Sequence, residues 1–213
     1  PNFLNPPNRW STRELALTTC WRAIKHRQPL CPFGTFPLLH RGKLFHLEII
    51  MPTYNPPLRD MQFVLHELLQ VTDEFKQMPK HADLDADTIN AVLEEGGKFT
   101  AGVTFPINAS GDREGCTLDQ TTHSVTTPKG WKEAYAQYVE GGWPALSGDP
   151  AWGGQGLPIV LNQAFYEMLN SANQAWTMYP GLAHGAHAAI EAHGTDEQKK
   201  TYLPNITSGK WLG

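Results

Sequence analysis

Residues 158–203 read PIVLNQAFYEMLNSANQAWTMYPGLAHGAHAAIEAHGTDEQKKTYL, and this stretch decides the fold class. Behind Pro158, a favourable first-turn residue, Leu161, Phe165, Met168, Leu169 and Ala172 recur at three- and four-residue spacing. That is the spacing of one buried helical face. A further helix is expected over Gly181–Ala192, built mostly of Ala and Gly and stopped by Gly194. Thr195-Asp196-Glu197-Gln198 is a capping box, with Thr195 as the cap and Gln198 at the third helical position. The last helix then runs to Leu203, where Pro204 breaks or kinks it.

The same period extends upstream. Met61, Val64, Leu65 and Leu68, with Phe75 a heptad on, predict one helix over Leu58–Phe75, opened by Pro56-Pro57. A second runs from Asp85, its cap, to Phe105, with Ile89, Val92, Phe99 and Val103 inward and Pro106 as the stop. Gly96-Gly97 inside it weakens the helix by about 1 kcal/mol per residue relative to Ala. Close approach of another backbone would be a reason to keep them. Residues 107–127 are polar and read as a long loop. Thr127-Pro128 reads as cap and first residue of a helix whose face is Trp131, Ala134, Tyr135, Tyr138 and Val139, ended by Gly141-Gly142. Residues 143–157 read as a second loop. No strand alternation is evident from residue 51 onward. The expected class is all-α, an antiparallel bundle of five to six helices.

The chain has 213 residues, of which 40% are hydrophobic, enough for a real core, and a formal charge of −4. Weak acidity argues against a nucleic-acid binder. No apolar run approaches the length a membrane helix needs. Cys20, Cys31 and Cys116 cannot make a disulfide framework and contain no C-x-x-C pair. No signal-peptide pattern opens the chain, so a soluble protein of a reducing compartment is expected. Residues 1–50 differ from the rest. They hold seven basic groups against two acidic ones and six prolines, with no sustained period. They are expected to be a disordered or upstream segment outside the folded unit, with Met51 as its true beginning.

Candidate chemistry is sparse. Gly153-Gly154-Gln155-Gly156 precedes a helix, where backbone N–H groups can hold a phosphate, but no Gly-Lys-Ser/Thr ending or preceding strand accompanies it. A tight packing loop is the simpler expectation. His184, His187 and Glu191 share a helix face and could ligate a metal, yet the H-E-x-x-H and paired E-x-x-H patterns are absent. Ser147 and Ser171 lack a nucleophile-elbow context, and Cys116 reads as a free surface thiol.

Several stretches resemble the acyl-CoA dehydrogenases. Met51–Leu69 (MPTYNPPLRDMQFVLHELL) looks like the N-terminal extension of a bacterial long-chain subgroup that includes methylthiopropionyl-CoA dehydrogenases. Glu95–Phe99 with Asn108–Gly115 (NASGDREG), Gly130–Pro158 and His193–Trp211 follow in the family's order. The resemblance implies residues 51–84 as the extension and 85–213 as the N-terminal helical domain. It further implies a central β-domain and a C-terminal helical domain that this chain does not include, so that the chain is a fragment. It implies a flavoenzyme in which a Glu base takes the α-proton and FAD accepts the β-hydride. The product would be a trans-2-enoyl-CoA, with electrons leaving through electron-transfer flavoprotein, in a homo-oligomeric, cytoplasmic bacterial enzyme. The base and the Thr-Glu-Pro flavin motif would lie beyond Gly213. No catalytic residue is therefore expected here, and most flavin contacts lie elsewhere. The acyl end of the pocket carries over to Met178, Tyr179, Gly181, Leu182 and His184, an apolar wall in which small residues leave volume. The alternative is a stand-alone helical interaction module that uses the Gly181–Ala192 surface.

Overall fold

The computed structural model describes residues 53–212; the expectation for residues 1–50 lies outside them. The described chain is mainly helical, as the periodicity predicts, with a two-stranded hairpin added. Helix α1 (Leu58–Gln62) passes into a π-turn, Phe63–Leu68, and α2 (Val71–Lys76) follows. The single helix expected here is therefore interrupted. The π-turn closes with Leu69 N donating to the Val64 carbonyl, one residue wider than an α-turn. That extra residue rotates Val64 and Leu68 off the core, while Met61, Leu65, Val71 and Phe75 stay on it. Gln70 takes a left-handed conformation at φ +49° and separates the two helices.

Helix α3 (Ala86–Phe99) starts where Asp85 Oδ1 accepts from Thr88 N at 2.8 Å. Ile89 and Leu93 are fully buried. Gly96 and Gly97 are kept by side chains rather than by a neighbouring backbone. A Cβ at Gly96 would meet the Phe165 ring at 2.8 Å, and one at Gly97 would meet Leu58 and Pro56 at 3.3 Å. So Phe165 and Leu58 pack on adjacent faces of α3, about 100° apart. A second π-turn, Thr100–Thr104, ends it.

The expected loop at 107–127 contains structure. Helix α4 (Asn108–Glu114) is followed by β1 (Thr117–Leu118) and β2 (Val125–Thr126), antiparallel with Thr117 opposite Thr126. Strands of two residues are too short to leave an alternating pattern, so this hairpin had no periodic signal. Its turn is tied by Asp119 Oδ1, which accepts from Thr121 N and Thr122 N at 2.7 and 3.0 Å.

Helix α5 (Trp131–Glu140) begins after Gly130 at φ +86°, three residues later than the Thr127-Pro128 cap predicts. Its end is as expected, with Gly142 at φ +74°. Short 3₁₀ turns, Trp143–Ala145 and Pro150–Trp152, lie inside the second loop. Helix α7 (Asp196–Thr207) carries the predicted capping box, with both reciprocal bonds formed. It continues through Pro204 instead of ending at Leu203. The proline forfeits one backbone bond, while burial of Leu203, Ile206 and Thr207 holds the final turn.

Helical element α6 (Ile159–His193) replaces the two separate helices expected, one with its face running to Ala172 and one over Gly181–Ala192. It is nevertheless bent, at Asn173, whose φ −161° and ψ 84° are extended. Tyr166 on the first arm reaches Gly181 on the second, and its ring lies 5.8 Å from that of His184. In a straight helix, positions 166 and 184 would be roughly 27 Å apart. The two arms, 159–172 and 174–193, therefore fold back as a helical hairpin. An aromatic cluster fills the centre. Phe99 sits 6.1–6.3 Å from Tyr138, Trp143, Phe165 and Trp176, and Trp143 stacks on Phe165 at 4.1 Å.

Candidate functional site: the second arm of the bent helix

The second arm has two faces. Met178 and Leu182 stand one turn apart and point outward, 60% and 64% exposed. A Cβ at Gly185, next on that face, would touch nothing within 4 Å. Tyr179 sits at the edge, half-exposed, with its ring edge-on to Tyr135 at 5.7 Å. Gly181 and His184 turn the other way, toward Tyr166. The five residues expected to line an acyl pocket are thus divided: three share or border an open apolar face, and two lie within the hairpin.

The inner face borders a cleft of about 140 Å³ between the arms, α5 and α7. Tyr135, Ile159, Pro180, His184, His187 and Glu191 line it. Tyr135 donates its hydroxyl to the Gly209 carbonyl at 2.6 Å, and burial, with Tyr179 adding to it, pushes its pKa up to about 12. It is a structural hydroxyl that stays protonated. Burial holds His184 below the ordinary histidine range, and neighbouring His187 acts in the same direction. His187 Nδ1 lies 3.6 Å from Glu191 Oε2, while its Nε2 is buried and has no hydrogen-bond partner among the described residues.

The other candidates resolve simply. Among the described residues no cluster of three His, Cys, Asp or Glu side chains is placed to hold a metal, so His184, His187 and Glu191 do not form a centre. Ser147 borders the cleft, but among the described residues no hydrogen bond joins it to either histidine, so no nucleophile–base pair forms. Cys116 is free and exposed, as expected. The glycine-rich loop is the tight packing loop: Gly153, Gly154, Gln155 and Gly156 donate their N–H groups to Pro150, Asp149, Ala145 and Gly148 at 2.8–3.1 Å. A Cβ at Gly154 would collide with the Gly148 backbone. With its donors committed, the loop has none left for a phosphate.

A family model described as Acyl-CoA dehydrogenase, N-terminal domain, matches residues 118–210. The 3-methylmercaptopropionyl-CoA dehydrogenase of Ruegeria pomeroyi is 36% identical over 161 residues, which cover 76% of this chain and 27% of that protein. This chain belongs to the acyl-CoA dehydrogenase family. The broad-specificity linear acyl-CoA dehydrogenase FadE5 of Mycobacterium tuberculosis is 35% identical over 151 residues, 70% of this chain and 24% of its own length. The butyryl-CoA dehydrogenase of Syntrophomonas wolfei is 29% identical over 161 residues, 75% of this chain and 26% of its own. The chain thus spans about a quarter of the length of these curated relatives. Among its described residues, no helix is long and apolar enough to cross a membrane.

The residue that sequence reasoning missed is Asn173. Its signal was present, since Ser171-Ala172-Asn173 puts two local backbone binders into a helical run, and Asn favours caps and turns over helix interiors.

Proposed function

We propose that this chain supplies the N-terminal helical wall of an FAD-dependent acyl-CoA dehydrogenase, which converts acyl-CoA to trans-2-enoyl-CoA. The outward face of Met178, Leu182 and Gly185 would line the acyl end of the pocket. One observation carries the reading: two large apolar side chains stand one turn apart in the open, beside a glycine that leaves room for a ligand. Contiguous exposed apolar surface marks a face that something covers, and the names of the relatives make an acyl chain the fitting occupant. Tyr179 would flank the chain, while Gly181 and His184 would act from behind by setting how closely the arms approach.

The described residues do not themselves fit FAD. The one glycine-rich loop has spent its donors on its own turns, and no oxidation step is assigned to these residues. Their role is to shape an apolar lining and exclude water from the reacting carbon chain. The base, the flavin contacts, electron-transfer flavoprotein and homo-oligomeric assembly belong to the same proposal, carried by the rest of the enzyme. On its own the chain is expected neither to retain FAD through gel filtration nor to reduce a dye with acyl-CoA. Tight retention or dye reduction would contradict that division of labour.

The test of the wall is Leu182→Trp in the intact enzyme. Filling the face should lower kcat/KM for long-chain relative to short-chain acyl-CoA by about tenfold or more. An unchanged ratio removes Leu182 from the pocket. A face that instead docks a partner protein predicts no chain-length dependence at all.

A further inference from the structure

The bend that creates the outward face is held by one side chain. Asn173 is 1% exposed, and its side-chain oxygen, side-chain nitrogen and carbonyl are all engaged. Its Oδ1 accepts from Trp176 N at 3.0 Å, which caps the second arm as an N-terminal cap residue does. Its carbonyl accepts from Thr177 Oγ1 at 2.8 Å. Its Nδ2 donates to the Thr104 carbonyl at 3.0 Å, across 69 residues of chain. That acceptor is available because the helical run ends there: Asn108 N, which would reach the Thr104 carbonyl in a continuing helix, bonds to Phe105 instead. The end of that run and the bend of α6 are therefore complementary: one leaves an acceptor free, and the other supplies the donor.

We propose that Asn173 is a positioning residue that sets the acyl-chain-length range of the enzyme by fixing the angle of the arm that bears Met178 and Leu182. This rests on the acyl-wall reading above. Leu182 lies nine residues past the bend, roughly 13 Å along the arm. A swing of roughly 10° there would move it about 2 Å, and misplacement by about 1 Å is enough to change turnover strongly. The backbone cannot replace the capping bond, because an extended residue 173 leaves the Trp176 N–H without a helical partner.

The experiment uses the intact enzyme with nitroxide labels on keto-amino acids at the exposed positions 163 and 189, one on each arm. A straight helix would place these positions roughly 39 Å apart; the folded arms hold them much closer. Asn173→Ala removes the cap and the clamp and favours continuous helix. It is expected to add a longer component to the label distance and to change the long-to-short kcat/KM ratio by about tenfold. Asn173→Ser keeps a capping oxygen and is expected to restore the short distance and the parental ratio.

An alanine variant with the parental distance overturns the proposal. So does a changed distance with an unchanged ratio in an enzyme where Leu182→Trp still shifts it. If neither substitution shifts the ratio, the acyl-wall reading fails and the proposal falls with it, whatever the distance shows. Should the alanine variant not fold, Asn173→Gly removes the same two bonds yet lets the backbone stay extended. It is expected to broaden the distance distribution and alter the ratio. A sharp parental distance in that variant overturns the proposal equally.

Discussion

The two arms of the bent helix have the same secondary structure and opposite duties. The first arm, 159–172, carries large apolar side chains, and Leu161, Met168, Leu169 and Ala172 have no exposed surface at all. Phe165 packs into the aromatic centre and against Gly96. The second arm, 174–193, buries Trp176 against the aromatic centre, but past Pro180 it is made largely of Ala and Gly, and its side chains Met178 and Leu182 point away from the core. Small residues let it lie close to the first arm, so its outward face is held firmly without contributing to the core. Apart from Trp176 and its neighbours at the start of the second arm, the buried apolar surface lies on the first arm, and the surface available for a ligand lies on the second.

Breaking the first arm should have the largest effect. Phe165→Ala is expected to lower unfolding free energy by about 3–5 kcal/mol in denaturant melts, through lost burial and the cavity left among the surrounding aromatic rings. A loss below about 1 kcal/mol would mean that the aromatic centre does not hold the domain. The contact between the arms comes next. Gly181→Val would drive a side chain into the Tyr166 hydroxyl, which lies 3.4 Å from the Thr177 carbonyl. About 1–3 kcal/mol of destabilisation is expected by the same melts. No loss would show that the arms have room to spare.

The inner face then sharpens the contrast through pH. His184 is held neutral in the fold, below its ordinary value of 6.5. As pH falls through 6.5, the unfolded chain takes up this proton before the folded one does, so stability present above that value is lost toward the lowered folded value. His184→Gln should flatten the fall in Tm between pH 7.5 and pH 5.5. An identical slope in both proteins would remove His184 as the cause. The smallest effect belongs to the outer face. Leu182→Ala should change stability by no more than about 0.5 kcal/mol, because the side chain is already in the open. A core-sized loss there would erase the distinction between the arms.

Much of this contrast was legible in the sequence. The stripe Leu161, Phe165, Met168, Leu169 and Ala172 is buried throughout, because a helix period and a burial face are one property. The Asp85 cap and the Thr195–Gln198 capping box are local hydrogen-bond patterns, readable within four residues, and both form. Features set by distant partners were not legible. The π-turns change which residues face the core without changing helical propensity, so Val64 and Leu68 seemed to belong to a stripe they leave. The bend at Asn173 depends on a carbonyl 69 residues away, so the sequence left the boundary open between Ala172 and Gly181 without pointing to Asn173. For the candidate site, the apolar character of Met178 and Leu182 was visible. Their separation from His184 was not, since it follows from which side of the second arm meets Tyr166.

On the proposed wall, the outward face of the second arm touches the acyl chain. Photolysis of the intact enzyme with an acyl-CoA bearing a diazirine near the end of its chain tests this directly, with peptide mapping of the adduct. Label is expected on the peptide that contains Met178 and Leu182, reduced by excess unlabelled acyl-CoA. Competable label confined to other parts of the enzyme would contradict it.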